Sequence, residues 1–213
     1  MRAPESIAAT LAALDAIEPF GLFLRHAERE TLPPEDPYAD VGLTPLGVAS
    51  AADLGRWTGS RLSWTATSPF RRCRRTAELL HPGAPEVDAR LGEPGPWVLE
   101  RGKGAELFSR LGVPGVVRAQ IRRATLESMR SLPDGARLLL SAAMDRIAAG
   151  RGSGACVSHD AVLMPALHWL TGDPLDDDWL EPLDGFAIQR RHAGGELVCT
   201  WRGRAYPVPA GES

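Results

Sequence analysis

The run Leu22-Phe23-Leu24-Arg25-His26-Ala27-Glu28-Arg29 leaves a chain few ways to fold. Consecutive large apolar side chains need cover on both faces, which a central strand of a layered sheet receives. The run then breaks into Arg-His, and another arginine follows three residues after the histidine. A strand ending this way delivers its charged residues to the carboxyl edge of the sheet, where open α/β sheets hold their ligands.

The rest of the chain alternates helical and strand signals. Ile7, Leu11, Leu14 and Ile17 recur at helical spacing, which predicts an amphipathic helix from about Pro4 to before Pro19. A strand at Phe20–Leu24 follows, then a loop rich in Pro and acids from Glu28 to Gly42. Thr44-Pro45 reads as an N-cap followed by proline at the first helical position, opening a helix to about Gly59. Trp64–Thr67 reads as a short strand, and a helix with the stripe Phe70, Cys73, Ala77 and Leu80 starts after Ser68-Pro69. A weak strand is expected near Val87, and helical patterns return at Lys103–Leu111, Val116–Leu132 and Ala136–Ala149. Ala155–Ser158 reads as a buried strand and Ala161–Leu170 as a helix, with alternating strands around Phe186–Gln189 and Leu197–Trp201.

This alternation predicts an α/β fold, a three-layer doubly wound and mostly parallel sheet. No linker interrupts the 213 residues, so one domain over 1–213 is expected. Within it, residues 96–132 form a helical insertion, or lid, over the C-terminal strand edge. The formal net charge of -3 argues against a nucleic-acid partner. Cys73, Cys156 and Cys199 are odd in number, far apart and set among apolar neighbours, as reduced thiols of a cytoplasmic protein are. They lack metal-ligand spacing, and Asp176-Asp177-Asp178 lacks a calcium-loop pattern, so no metal is expected. No apolar run spans a membrane, and Glu5, Asp15 and Glu18 interrupt any secretory core. The N-terminal helix and C-terminal strands leave a homodimer open.

Four segments carry the chemistry: Arg25-His26-Ala27-Glu28-Arg29, Leu43-Thr44-Pro45-Leu46-Gly47, Ser68-Pro69-Phe70-Arg71-Arg72-Cys73-Arg74-Arg75-Thr76-Ala77, and Val157-Ser158-His159-Asp160. Together, over roughly residues 20 to 190, they resemble the histidine phosphatase, or phosphoglycerate mutase-like, superfamily. The resemblance makes His26 the nucleophile, Arg25 and Arg72 phosphate ligands, and His159 the second histidine that donates hydrogen bonds to the phosphoryl group. It implies a reaction that needs no metal or other cofactor. Two features depart from the smaller branch and resemble the acid phosphatase branch. Arg29 would be a third phosphate ligand, and Asp160 stands where glycine is common and would protonate the leaving alcohol. Glu93, in Leu91-Gly92-Glu93, is the second candidate for that acid.

The residue types suit the task. Guanidiniums bind phosphate oxygens bidentately and stabilise developing charge, while a neutral imidazole attacks. The expected activity is hydrolysis of a small phosphorylated metabolite through phosphohistidine on His26. Alternatives are a phosphoglycerate-type mutase, a protein phosphohistidine phosphatase and a non-catalytic phospholigand-binding protein. Trp97, in the insertion, is a candidate for lining a substrate pocket. Arg71, Arg74 and Arg75 are expected on a solvated helix face.

Overall fold

The computed structural model describes residues 4–33, 36, 39–92, 95–122, 126–175, 178–191 and 195–209. Its strands are β1 (Phe20–Arg25), β2 (Trp64–Thr67), β3 (Glu86–Val87), β4 (Gly154–Ser158), β5 (Gly185–Arg190), β6 (Leu197–Trp201) and β7 (Arg204–Pro207). They form one mixed sheet in the order β3-β2-β4-β1-β5-β6-β7. β1, β2, β3 and β4 pair in parallel. β5 returns antiparallel to β1 and is followed by antiparallel β6 and β7.

The helices are α1 (Glu5–Ala12), α2 (Pro45–Thr58), α3 (Arg71–Leu80), α4 (Arg101–Ile121), α5 (Leu132–Ala148) and α6 (Asp160–Thr171). Successive strand side chains point to opposite faces, so β1, β4 and β5 each feed two cores. Leu22, Leu24, Val157 and Ala187 share a core with Ile7 of α1, Leu54 of α2 and Cys73 of α3. Phe23, Cys156, Phe186 and Ile188 share the other with Val117 of α4, Leu139 of α5 and Leu163 of α6. The expected three layers follow from this split.

Several boundaries differ from the sequence expectation. α1 stops at Ala12, and Ile17 is 89% exposed while Ile7 is fully buried. Beyond α1 the chain is caught by the sheet instead, where Asp15 N–H donates to Gln189 Oε1 at 2.8 Å. Two expected helices merge into α4, which breaks at Gly112, where φ is 67° and glycine meets no Cβ penalty. α4 ends at Ile121 rather than Leu132, and α5 begins at Leu132 rather than Ala136. The reason is the N-cap: Ser131 Oγ accepts from Asp134 N–H at 3.3 Å, with a proline in the first turn.

β7 carries no strong hairpin signal. Arg202 and Gly203 both take positive φ, 47° and 77°, and close a two-residue turn between β6 and β7. Trp57 is 42% exposed. No helix among the described residues is long and apolar enough to cross a membrane.

Candidate active site

The strand order places the carboxyl ends of β2, β4 and β1 side by side. Arg25 is level with Ser158, and Thr67 with Val157. Arg25-His26, Ser68 and His159 therefore leave the sheet at one edge. The His26 and His159 rings face each other with centroids 5.4 Å apart and planes at 70°.

His26 is held by its own strand end. Its N–H donates to the Ser158 carbonyl at 2.9 Å, and Nδ1 stands 2.7 Å from the Ala27 carbonyl. A carbonyl only accepts, so this contact assigns the proton to Nδ1 and leaves the Nε2 lone pair free. Burial lowers the His26 pKa from 6.5 to about 4, the Arg72 and Arg25 charges adding to it and the Ala27 hydrogen bond opposing. At neutral pH the ring is unprotonated.

The loop after His26 is locked from two sides. Ala27 N–H donates to Thr76 Oγ1 at 3.1 Å, and that hydroxyl donates to the Arg72 carbonyl at 2.7 Å. The motif threonine thus ties α3 to the Arg-His loop. On the other side Thr44 caps α2 by accepting from Gly47 N–H at 3.0 Å. Thr44 N–H also donates to the Glu28 carbonyl at 3.1 Å. A Cβ at Gly47 would fall 2.0 Å from that same carbonyl oxygen, so the segment requires glycine there.

His159 is 9% exposed and lies beside Arg72. Arg72 Nη2 lies 3.5 Å from its Nδ1, and Ser68 Oγ 2.8 Å from its Nε2. The guanidinium can only donate, which assigns the His159 proton to Nε2, facing Ser68. Burial, with the His26, Arg72, Arg25 and Arg29 charges, holds the His159 pKa well below its usual value. Cys73 Sγ is 3.5 Å from His159 Nε2, but burial pushes its thiol up to about 12 and keeps it protonated and inert.

The three motif arginines surround this pair. Arg72 is 8% exposed, stacks over Phe70 at 4.5 Å and donates to the Ala39 carbonyl at 3.3 Å. Arg25 Nη1 donates to the Leu180 carbonyl, and Nη2 pairs with Asp160 Oδ2 at 3.1 Å. Arg29 is partly buried and donates to the Glu30 carbonyl at 2.9 Å. The Nε atoms of Arg25 and Arg72 are buried with no partner among the described residues.

Asp160 opens α6, accepts two N–H groups and forms an ion pair with Arg25. Ala161 N–H donates to Oδ1 at 2.8 Å, and Trp179 Nε1 donates to Oδ2 at 2.9 Å beside Arg25. All of Arg25, His26, Arg29, Arg72, His159 and Asp160 line one cleft of about 690 Å³. Trp97 lines it too. Glu93 lies outside the described residues, although Gly92 and Gly95 on either side reach the cleft. Among the described residues no cluster of His, Cys, Asp and Glu is placed to hold a metal ion.

Sequence reasoning did not assign Ser68, Thr76 or Trp179. The first two belong to the α3 motif and were legible as motif positions without roles. Trp179 lies 19 residues beyond Asp160 and carries no local signal of that contact.

Residues 22–196 match the model of the histidine phosphatase superfamily, branch 1. The chain belongs to the histidine phosphatase superfamily. Arg29 and Asp160, which resemble the acid phosphatase branch, therefore occur here in a branch 1 chain. Solved structures share the fold. Bacillus stearothermophilus YhfR is 20% identical with a TM-score of 0.60, over 86% of this chain and 96% of that one. A mycobacterial glucosyl-3-phosphoglycerate phosphatase is 16% identical with a TM-score of 0.59, over 87% and 99%. A mutant phosphoserine phosphatase from Entamoeba histolytica, in complex with phosphoserine, is 16% identical with a TM-score of 0.57, over 89% and 95%. No curated protein matches the chain.

Proposed function

We propose that this histidine phosphatase is a metal-independent phosphomonoesterase that hydrolyses a small phosphorylated metabolite through phosphohistidine on His26. The observation that carries the reading is the His26 ring itself. Its Nδ1 is committed to the Ala27 carbonyl, its Nε2 is free, and its pKa of about 4 keeps it neutral. Arg25, Arg29 and Arg72, which all line the cleft, would bind the phosphate oxygens. Phosphatases among proteins of similar fold agree with this reading.

In the first step Nε2 attacks phosphorus, the N–P bond forms, and the P–O bond to the alcohol breaks as that oxygen takes a proton. In the second step water attacks phosphorus, the N–P bond breaks and inorganic phosphate leaves. His159 would stabilise the transferring group once its Nε2–H turns from Ser68 to a phosphate oxygen. Asp160 is the first candidate for the acid. Its bonds to Arg25, Ala161 and Trp179 favour a second reading, in which it orients Arg25 and Glu93 supplies the proton. A cytoplasmic location and a homodimer remain part of the proposal.

The test is hydrolysis of p-nitrophenyl phosphate with EDTA present, in wild type and His26→Ala. Metal-independent turnover that falls at least about a thousandfold in the variant supports the reading. Phosphate binding without turnover of any monoester makes the protein a phospholigand-binding member instead. Interconversion of 3-phosphoglycerate and 2-phosphoglycerate makes it a mutase.

A further inference from the structure

Beyond its phosphate floor, the cleft is walled by Leu32, Phe70, Trp97, Phe108, Val113 and Trp179. Neither tryptophan offers a donor to a ligand. Trp97 Nε1 already donates to the Val162 carbonyl at 3.0 Å, and Trp179 Nε1 to Asp160 at 2.9 Å. Both therefore present apolar ring surface. Among the described lining residues there is no Ser, Thr, Asn, Gln, Tyr or Lys. Arg101 is the one polar side chain outside the group that surrounds the two histidines.

The apolar wall is built by α4. Arg101, Ala105 and Phe108 fall on one helical face, and the break at Gly112 brings Val113 and Pro114 back to the same cleft. A Cβ at Gly104 would lie 2.7 Å from Val98 Cγ1, so glycine there allows the helix to press close against the loop that carries Trp97. With a volume of about 690 Å³ the cleft holds far more than a phosphate.

Among the described residues of this wall, a sugar or polyol would meet no side-chain hydroxyl or amide to replace its lost hydration. An alkyl or ring-bearing group loses nothing and gains burial. We infer that the cleft selects phosphomonoesters whose leaving alcohol is apolar, with Phe108 and Val113 as specificity-determining residues. The inference rests on the phosphatase reading above. A sugar-acid phosphate is the competing class, and Arg101 is the residue that would read its carboxylate.

The experiment is a chain-length series of straight-chain alkyl phosphates, ethyl to octyl, whose leaving alcohols are of similar reactivity. Glycerol 3-phosphate, 3-phosphoglycerate and glucose 6-phosphate run beside it. The same series of alkylphosphonates is titrated by calorimetry, because phosphonates bind without being hydrolysed. The expected result is a kcat/KM that rises about threefold per methylene until the cleft fills, a parallel rise in phosphonate affinity, and polar esters below hexyl phosphate. In Phe108→Ala the ratio of hexyl to ethyl kcat/KM falls about tenfold, a ratio that cancels any loss of folded enzyme. A flat or falling series, or a preference for 3-phosphoglycerate lost in Arg101→Ala, overturns the inference while the phosphatase reading stands. A chain-length slope in phosphonate affinity without turnover of any ester supports the apolar cleft and overturns the phosphatase reading.

Discussion

Trp179 donates its indole N–H to Asp160 at 2.9 Å, on the same carboxylate oxygen that pairs with Arg25 at 3.1 Å. One oxygen thus fixes both the Arg25 guanidinium and the Trp179 wall of the cleft. Trp179→Phe keeps the ring and removes the donor. Its expected effect is a severalfold loss of kcat, with the larger loss on alkyl esters if Asp160 is the acid. Asp160→Asn decides between the two acids. A loss of more than about a hundredfold on alkyl esters, and little on p-nitrophenyl phosphate, assigns the proton to Asp160. An equal loss on both makes Asp160 the anchor of Arg25, and Glu93→Gln then shows the leaving-group dependence.

The lowered pKa of His26 makes a stability prediction with a definite sign. The unfolded ring titrates near 6.5 and the folded ring near 4, so between those values the unfolded state binds more protons. Stability is full above pH 6.5 and is lost as pH falls toward 4, by roughly 3 kcal/mol if the shift is fully expressed. Urea unfolding from pH 7 to 4 measures the loss, and His26→Asn makes it smaller. An NMR titration of the His26 ring that has its midpoint near 6.5 would contradict the burial argument. In Arg72→Ala the midpoint moves upward, because one repelling cation is gone.

Thr76 is fully buried and bonds both Ala27 and Arg72. Thr76→Val preserves its shape and leaves the Ala27 N–H without an acceptor. The expected cost is about 1–3 kcal/mol in thermal or urea unfolding. Thr76→Ser restores the bond, so its kcat returns toward wild type, whereas a merely space-filling role would make valine the better substitute.

Gly47→Ala tests the join between α2 and the Arg-His loop. The added Cβ would meet the Glu28 carbonyl oxygen at 2.0 Å, and backbone cannot swing aside as a side chain does. Destabilisation of about 1–3 kcal/mol is expected, together with a fall in kcat as the loop shifts. Alanine at Gly59, where no atom lies within 4 Å, tests only the positive φ and should leave kcat unchanged.

Local chemistry decided much of this protein from the sequence alone. β1 and β4 were legible because their apolar residues are contiguous and end abruptly at Arg-His and before His-Asp, and β2 because it stops at Ser-Pro. The start of α2 was legible because Thr44-Pro45 satisfies and tolerates orphan N–H groups whatever the rest of the chain does. Arg25, His26, Arg29, Arg72, His159 and Asp160 were expected to meet because parallel strands carry their ends to one edge, and the structure brings them to one cleft. What only the tertiary structure decided depends on contacts between distant segments. The bond from Ala27 to Thr76, the Trp179 contact with Asp160 and the Phe108 wall each join groups whose sequence spacing carries no period. The break at Gly112 belongs here too. Helical periodicity says which face of a segment is apolar, but only packing against Trp97 and the sheet says where that segment turns.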